Sequence, residues 1–229
     1  LDQFRPTVLF MLPAALTALV RDHNASRSDF ASIRLCVSGG DKVSAELERE
    51  FTAHAGLPVD ESYGMTEVGL ATISPPSGEN RLGSVGRICP GYEFSLRDNK
   101  GGEVPLGEPG RLWIRSPTNS VGYWSNVEAT AETIIDGWLD TGDVMRLDDD
   151  GYLWFCGRQK QIIVHDGSNI CPQEVEEAMA SHPTVAAVGV IGVHDLVHGE
   201  HVRAYVSFKK NDSPPAAAEL ISCAGERIG

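Results

Sequence analysis

The sequence predicts an α/β fold that passes into a β-rich stretch and closes in a small α+β unit. Three observations carry this. Residues 7–60 alternate helical patterns with short strands that end in glycine turns, the rhythm of a sheet whose strands are separated by helices. Residues 81–157 show repeated period-two alternation broken by Gly- and Asp-rich turns. Residues 160–208 then read strand, helix, strand, strand.

In the first part, the apolar run Val8-Leu9-Phe10-Met11-Leu12 meets Pro13, which suits a first helical position, and Leu16, Leu19 and Val20 continue a helical face. Residues 24–29 are polar and read as a loop. Ile33, Leu35 and Val37 alternate with Arg34, Cys36 and Ser38, predicting a half-buried strand that ends at Gly39-Gly40-Asp41. Ser44 is placed to cap the next helix, Glu46 complements its dipole, and Leu47 and Phe51 form its buried face. A second short strand is expected at about residues 57–60, leading directly into Tyr63-Gly64-Met65-Thr66-Glu67. Residues 74–90, with Pro75, Pro76, Gly78, Gly83, Gly86 and Pro90, read as a loop.

In the β-rich part, Tyr92, Phe94 and Leu96 alternate before the turn Asp98-Asn99-Lys100-Gly101-Gly102, and Leu112 and Ile114 alternate with Arg111, Trp113 and Arg115. The segments 144–147 and 152–155 flank Asp148-Asp149-Asp150-Gly151, a hairpin signal. In the last part, Ile162-Ile163-Val164 predicts a short strand and 166–169 a turn. Pro172 opens a helix with Val175, Ala178 and Met179 on its apolar face, and His182-Pro183 ends it. Val185–Val193 is nearly continuously apolar, and Val202, Ala204, Val206 and Phe208 alternate with polar partners.

Composition narrows the function. The net charge of −13 excludes nucleic acid or an anionic membrane as the main partner. A polyphosphate site has to be locally basic, or built from backbone N–H groups and a metal. The five cysteines form no C-x-x-C pair, and an odd count suits a reducing compartment. The histidines show no H-E-x-x-H pattern. His194, His198 and His201 read as a surface loop with no Cys or second carboxylate to complete a site, so no zinc centre is expected. With no apolar run of 18 residues and no leader pattern, a soluble cytoplasmic protein without a membrane span is expected. The chain opens at Leu1 in mid-pattern, which suggests a fragment.

The chemistry begins at Tyr63-Gly64-Met65-Thr66-Glu67. A flat ring, a bare backbone, a hydroxyl and a carboxylate can hold a base, phosphates and a Mg²⁺ ion. A tight turn opening a helix accounts for the same five residues. Both Gly39-Gly40 and this stretch sit at expected carboxyl ends of strands, where ligands bind in such sheets.

Two further segments carry distinctive residues: Gly137-Trp138-Leu139-Asp140-Thr141-Gly142-Asp143, and Gly157-Arg158-Gln159-Lys160 continuing to Gly167-Ser168-Asn169-Ile170-Cys171-Pro172. With Gly122-Tyr123-Trp124, Glu128-Ala129-Thr130 and Gly199-Glu200 they follow one another in an order and spacing that resembles the adenylate-forming superfamily, which includes acyl-CoA synthetases, luciferases and peptide-synthetase adenylation domains. Met65 and the Trp138–Asp143 run resemble the acyl-CoA synthetase branch.

The resemblance implies that residues 1–159 are the C-terminal portion of a large adenylation domain, with an α/β part (1–80) and a β-rich part (81–157), and that 160–229 are an incomplete small swinging domain. It implies catalytic roles for Thr66 and Glu67, with Glu67 as the Mg²⁺ ligand. ATP or AMP would be bound by Gly39, Gly40, Asp41, Tyr63, Thr66, Asp143 and Arg158. Gly64 and Met65 would line the acyl pocket, Lys160 would be the hinge, and the Gly167 segment would enter the site for thioester formation. The implied partners are a carboxylic acid, ATP, Mg²⁺ and CoA, with no nucleic acid; a homodimer is compatible with it.

The implied reaction is ATP-dependent activation of a carboxylic acid followed by transfer to CoA. Loading of a carrier-protein thiol and a non-catalytic nucleotide-binding relative are the alternatives. Setting the resemblance aside, residues 81–157 read as a carbohydrate- or peptide-binding β-module. There are departures: Asp41-Lys42 replaces Ala-Pro, and His194 stands where Pro is usual. The family's phosphate loop is expected before Leu1 and its catalytic lysine beyond Gly229, so little adenylation activity is expected of this chain alone.

Overall fold

The computed structural model of the chain describes residues 3–22, 25–75, 80–166, 168–195, 197–210 and 214–228. Leu1, Asn24, Pro76, Gly78, Gly167 and Gly229, named above, lie outside them. The chain forms two compact units, Leu1–Thr141 with Met145–Phe155, and Gly142–Val144 with Cys156–Gly229.

The first unit starts with β1 (Val8–Met11), α1 (Pro13–Thr17) with proline in its first turn, and a π-type turn at Ala18–Asp22. There follow β2 (Leu35–Ser38), α2 (Ala45–Ala55), β3 (Asp60–Met65), β4 (Gly69–Ile73) and β5 (Arg87–Ile88). These strands form one sheet in the order β1-β2-β3-β4-β5. β1, β2 and β3 run parallel, and β4 and β5 are antiparallel additions. Ser44 caps α2 as its sequence position suggests, its Oγ accepting the Leu47 N–H at 3.2 Å. Gly56 ends α2 in the left-handed region, with φ 74°. Leu16, Val20, Phe30, Leu47, Phe51 and Val59 build the core, with the Phe30 and Phe51 rings edge to face at 5.3 Å.

Two expectations need correction here. β2 is not half-buried: Cys36, Val37 and Ser38 are buried in succession, because a strand flanked by parallel neighbours is covered on both faces. The second strand is not at 57–60. β3 begins at Asp60 and contains Tyr63, Gly64 and Met65, because Asp60, Glu61 and Ser62 are buried despite being polar, and an apolar pattern cannot report them.

The next elements are β6 (Glu93–Arg97), β7 (Gly110–Arg115), α3 (Val127–Thr133), β8 (Ile134–Ile135), β9 (Trp138–Leu147) and β10 (Leu153–Arg158); all belong to the first unit except Gly142–Val144 in the middle of β9 and the last residues of β10 from Cys156, which belong to the second. The sheet order is β10-β9-β7-β6, with β8 paired to β9. The alternation seen in sequence sends Leu96, Leu112, Ile114, Leu139, Met145 and Leu153 into one core. On the other face Arg97 lies over Trp113 at 4.7 Å and Trp138 at 5.0 Å, and Arg115 over Trp138 at 4.7 Å. The Asp148–Gly151 turn is formed as expected, Asp148 Oδ1 accepting the N–H groups of Asp150 and Tyr152.

The second unit opens with a 3₁₀ turn at Gln159–Gln161 and continues with β11 (Ile163–His165), β12 (Ser168–Ile170), α4 (Pro172–Ala180), β13 (Val185–Asp195), β14 (Gly199–Phe208) and α5 (Ala217–Ile228). Its sheet order is β12-β11-β14-β13. Val175, Ala178 and Met179 of α4, with Leu220 and Ala224 of α5, pack on Ile163, Val185 and Val190. The turn expected over 166–169 is shorter than expected, since Ser168 and Asn169 already pair with β11. His194 and His201 lie on β13 and β14, not in a loop. No helix among the described residues is long and apolar enough to cross a membrane.

Candidate functional site

In the first unit, β2 and β3 are adjacent parallel strands and their carboxyl ends carry the residues singled out in sequence. Gly39 follows β2 and tolerates no side chain: a Cβ there would sit 2.4 Å from Ser62 Oγ and 2.7 Å from the Ser62 carbonyl oxygen. Ser62 in turn donates to the Ser38 carbonyl at 3.1 Å, tying the two strand ends together. Gly40 takes φ 86°, open to glycine, and turns the chain to exposed Asp41.

Tyr63 is half-buried, its ring tilted 30° to Phe155 at 6.4 Å. Gly64 faces the backbone of β4, where a Cβ would meet Gly69 O at 2.3 Å; this close crossing demands glycine whatever else the residue does. Thr66 and Glu67 sit in the β3–β4 turn, closed by the Val68 N–H on the Met65 carbonyl at 3.2 Å. They do not open a helix. Thr66 is exposed, and Glu67 is half-buried.

Glu67 is held from a distant segment. Its Oε1 accepts the Tyr123 hydroxyl at 2.8 Å, and its carbonyl accepts the Ser120 N–H at 2.7 Å. The hydrogen bond to Glu67 raises the Tyr123 pKa above its ordinary value, so the phenol stays a donor. Tyr123 is the residue that sequence reasoning left without a role, although Gly122-Tyr123-Trp124 had been singled out. The Val68 carbonyl in the same turn accepts from Thr118 Oγ1 at 2.6 Å and Tyr92 Oη at 3.0 Å, which steadies Glu67 further.

Beneath this wall lies a buried charge cluster. Glu48 of α2 and Glu61 of β3 are each 1% exposed. Glu48 Oε1 accepts the Gly83 N–H and Glu61 Oε1 the Val43 N–H, both at 3.2 Å. Lys42 Nζ is 3.6 Å from Glu61 Oε2 and also donates to the Gly83 carbonyl. Burial first, and the Glu61 charge second, push the Glu48 carboxyl up to about 8.

In the second unit, Asp143 of β9 is buried and Arg158 at the end of β10 is exposed, with Arg158 Nε 3.3 Å from Asp143 Oδ1. A buried carboxylate can accept paired hydroxyls, and an exposed guanidinium beside it can donate to an anion. Lys160 is exposed in the 3₁₀ turn that follows. Within the first unit, Asp140 is occupied by Arg111 through both carboxylate oxygens and Thr141 donates to Leu112 O, so these two motif residues serve the sheet. Thus Gly39, Gly40, Asp41 and Tyr63–Glu67 gather in one unit, and Asp143, Arg158 and Lys160 in the other.

Residues 1–124 match the AMP-binding enzyme family and residues 174–229 the AMP-binding enzyme C-terminal domain. The chain belongs to the AMP-binding enzyme family. It is 36% identical over 223 residues to a long-chain-fatty-acid–CoA ligase of Yersinia pestis, covering 97% of this chain and 39% of that protein. It is 33% identical over 213 residues to the fatty acid–[acyl-carrier-protein] ligase ScoC of Streptomyces coeruleorubidus, covering 91% and 41%. Among solved structures, ATP-bound MatB from Rhodopseudomonas palustris superposes with a TM-score of 0.88 at 32% identity, over 98% of this chain and 45% of that one. The chain thus spans less than half the length of these relatives.

Proposed function

We propose that the intact protein activates a carboxylic acid with ATP and transfers the acyl group to CoA. The observation that carries this reading is the Glu67 carboxylate, which lies in the turn after β3, the strand paired with β2, and is steadied by the Tyr123 hydroxyl, in a chain of the AMP-binding enzyme family. That is where α/β sheets take their ligands. The name of the Yersinia pestis relative agrees with it.

In the first step the substrate carboxylate attacks the α-phosphate of ATP, forming the acyl–adenylate bond and expelling pyrophosphate. Gly39, Gly40 and Asp41 form one wall for the adenine and the Tyr63 ring the other. Thr66 donates its hydroxyl to a phosphate. Glu67 offers hard carboxylate oxygens with no nitrogen or sulfur, a chemistry that fits Mg²⁺, and would hold that ion. Held there, it would supply positive charge that offsets the phosphate charge of the leaving group. Asp143 accepts both ribose hydroxyls, and Arg158 swings from Asp143 to the ribose or phosphate. Gly64 and Met65 border the acyl group.

In the second step the CoA thiol attacks the acyl carbon, AMP leaves and the thiol proton is released. Lys160 is the hinge between residues 1–159 and 160–229, whose rotation lets one site serve both steps. A cytoplasmic setting belongs to the same proposal.

The test is a panel of carboxylic acids with ATP and CoA on the full-length protein, following AMP release. Acid- and CoA-dependent AMP release abolished by Glu67→Ala is expected; activity indifferent to Glu67→Ala would favour a non-catalytic nucleotide-binding role. The name of the ScoC relative supports a second reading, in which a carrier-protein thiol is the acceptor. AMP release that requires holo carrier protein and ignores CoA would select it. The 229-residue chain by itself is expected to show little ATP–pyrophosphate exchange, and exchange at the full-length rate would refute that.

A further inference from the structure

The β11–β12 and β13–β14 turns of the second unit lie side by side. His165 pairs with Gly199 across β11 and β14, and the Asp166 N–H donates to the His198 carbonyl at 2.9 Å. This register gathers three imidazoles, with ring centroids of His165, His198 and His201 separated by 5.2 to 5.4 Å in every pairing. Two carboxylates accompany them. Asp166 Oδ1 lies 2.9 Å from His198 Nδ1, and its Oδ2 lies 3.7 Å from His165 Nε2. Asp195 Oδ2 lies 3.3 Å from His201 Nε2. The ligand atoms of His165, Asp166 and His198 all fall within 4.8 Å of one another.

The spacing has a chemical meaning. A tetrahedral centre with bonds of about 2.0–2.1 Å sets its ligands roughly 3.3 Å apart. Asp166 reaches His198 with one carboxylate oxygen at 2.9 Å and His165 with the other at 3.7 Å, close to that edge on either side. The rings are also oriented from behind. His165 Nδ1 is 2.6 Å from the Glu200 carbonyl oxygen, which can only accept. Nδ1 therefore carries the proton and Nε2 presents its lone pair, the arrangement of a metal-ligating histidine whose other nitrogen donates to a carbonyl. Asp195 Oδ1 is pinned by the N–H groups of Val197 and His198, at 2.9 and 2.8 Å, which leaves Oδ2 to steady His201.

We infer that His165, Asp166 and His198, with His201 rotated in as the fourth ligand, bind a divalent transition metal of the Zn²⁺ type. Imidazole and carboxylate donors suit Zn²⁺, Cu²⁺ or Ni²⁺. The ion ties the β11–β12 turn to the β13–β14 turn within one sheet, and the site stands independently of the ligase reading. All four side chains are accessible, from 34% for His165 to 59% for Asp166, so an ion can enter without opening the fold. Cys156, Cys171 and Glu174 also bring their ligand atoms within 4.8 Å, but both thiols are buried, at 0% and 2% exposure.

The test uses the 229-residue chain, free of any affinity tag and stripped with chelator, titrated with ZnCl₂ by calorimetry and with Co²⁺ by its ligand-field absorption. One equivalent bound with a tetrahedral Co²⁺ spectrum is expected. The His165→Ala/His198→Ala variant should lose about a hundredfold in affinity, and His198→Gln alone about tenfold. Circular dichroism of the metal-free variants should match the parent, because neither replaced side chain belongs to the apolar core of the unit. No binding by the parent chain overturns the inference. So does binding unchanged in the double variant, which would place the ion on the thiols.

Discussion

Replacing Glu48 with Gln should remove a pH dependence of stability that the fold builds into the support of the proposed nucleotide wall. Glu48 and Glu61 are two buried carboxyls, and the Lys42 ammonium lies beside Glu61. Lys42 is paired with Glu61, so a proton on Glu48 makes the pocket neutral. The Glu61 charge beside it also favours the protonated form of Glu48. The folded-state pKa of Glu48, about 8, lies above its ordinary 4.5. The native state therefore keeps a proton that the unfolded chain releases over that window, and stability falls as pH rises from 4.5 to 8.

The slope is at most about 1.4 kcal/mol per pH unit, so three units cost up to about 4 kcal/mol. Gln keeps an acceptor for the Gly83 N–H and supplies a permanent donor toward Glu61. Urea unfolding of wild type and Glu48→Gln at pH 5, 6.5 and 8 should give stabilities within about 1 kcal/mol of each other at pH 5, diverging as pH rises with the variant the more stable. The difference between the two curves isolates Glu48 from the other charges of an acidic chain. Parallel curves, or a variant weaker than wild type at pH 8, would refute the raised Glu48 pKa. Glu61→Gln is the control: it strands Lys42 and should destabilise at every pH.

Three further outcomes are expected. Gly64→Ala places a methyl 2.3 Å from Gly69 O and 3.1 Å from Leu70 Cα, both backbone, and should cost about 2–3 kcal/mol by urea unfolding. Asp148→Asn weakens the contacts to Arg81 and Trp154 and should cost about 2 kcal/mol at pH 7. Burial alone would raise the Asp148 pKa, but its hydrogen bonds from Tyr152, Trp154 and Arg81 outweigh that and lower it below 3.8. Its contribution is thus present above pH 3.8 and lost as pH falls through the folded pKa, and the acid limb of the unfolding curve should shrink in the variant. In the full-length protein, Tyr123→Phe frees the Glu67 carboxylate and should lower ATP-dependent AMP release roughly tenfold, with the melting temperature little changed; unaltered turnover would remove Tyr123 from the site.

What the sequence disclosed and what it hid divide along one physical line. Local chemistry was legible. Ser44 capping α2, Pro172 opening α4, the Asp148 hairpin and the alternation of β7 each depend on a few neighbouring residues, and each appears in the structure. Contacts between distant segments and buried polar residues were not. Apolar patterning placed the second strand at 57–60, whereas β3 runs over Asp60–Met65, because Asp60, Glu61 and Ser62 are polar residues buried among partners from α2 and β2. The histidines were judged on 194–201 alone, yet the partner that organises His198 is Asp166, 32 residues away and delivered by the β11–β14 register. Glu67 shows the same division: its residue type suggested a role, but only the fold shows that a tyrosine 56 residues further on holds it. A side chain that must be both polar and stationary borrows its rigidity from elsewhere in the chain. A functional carboxylate is therefore identified less by its own motif than by the donor that reaches it from outside that motif.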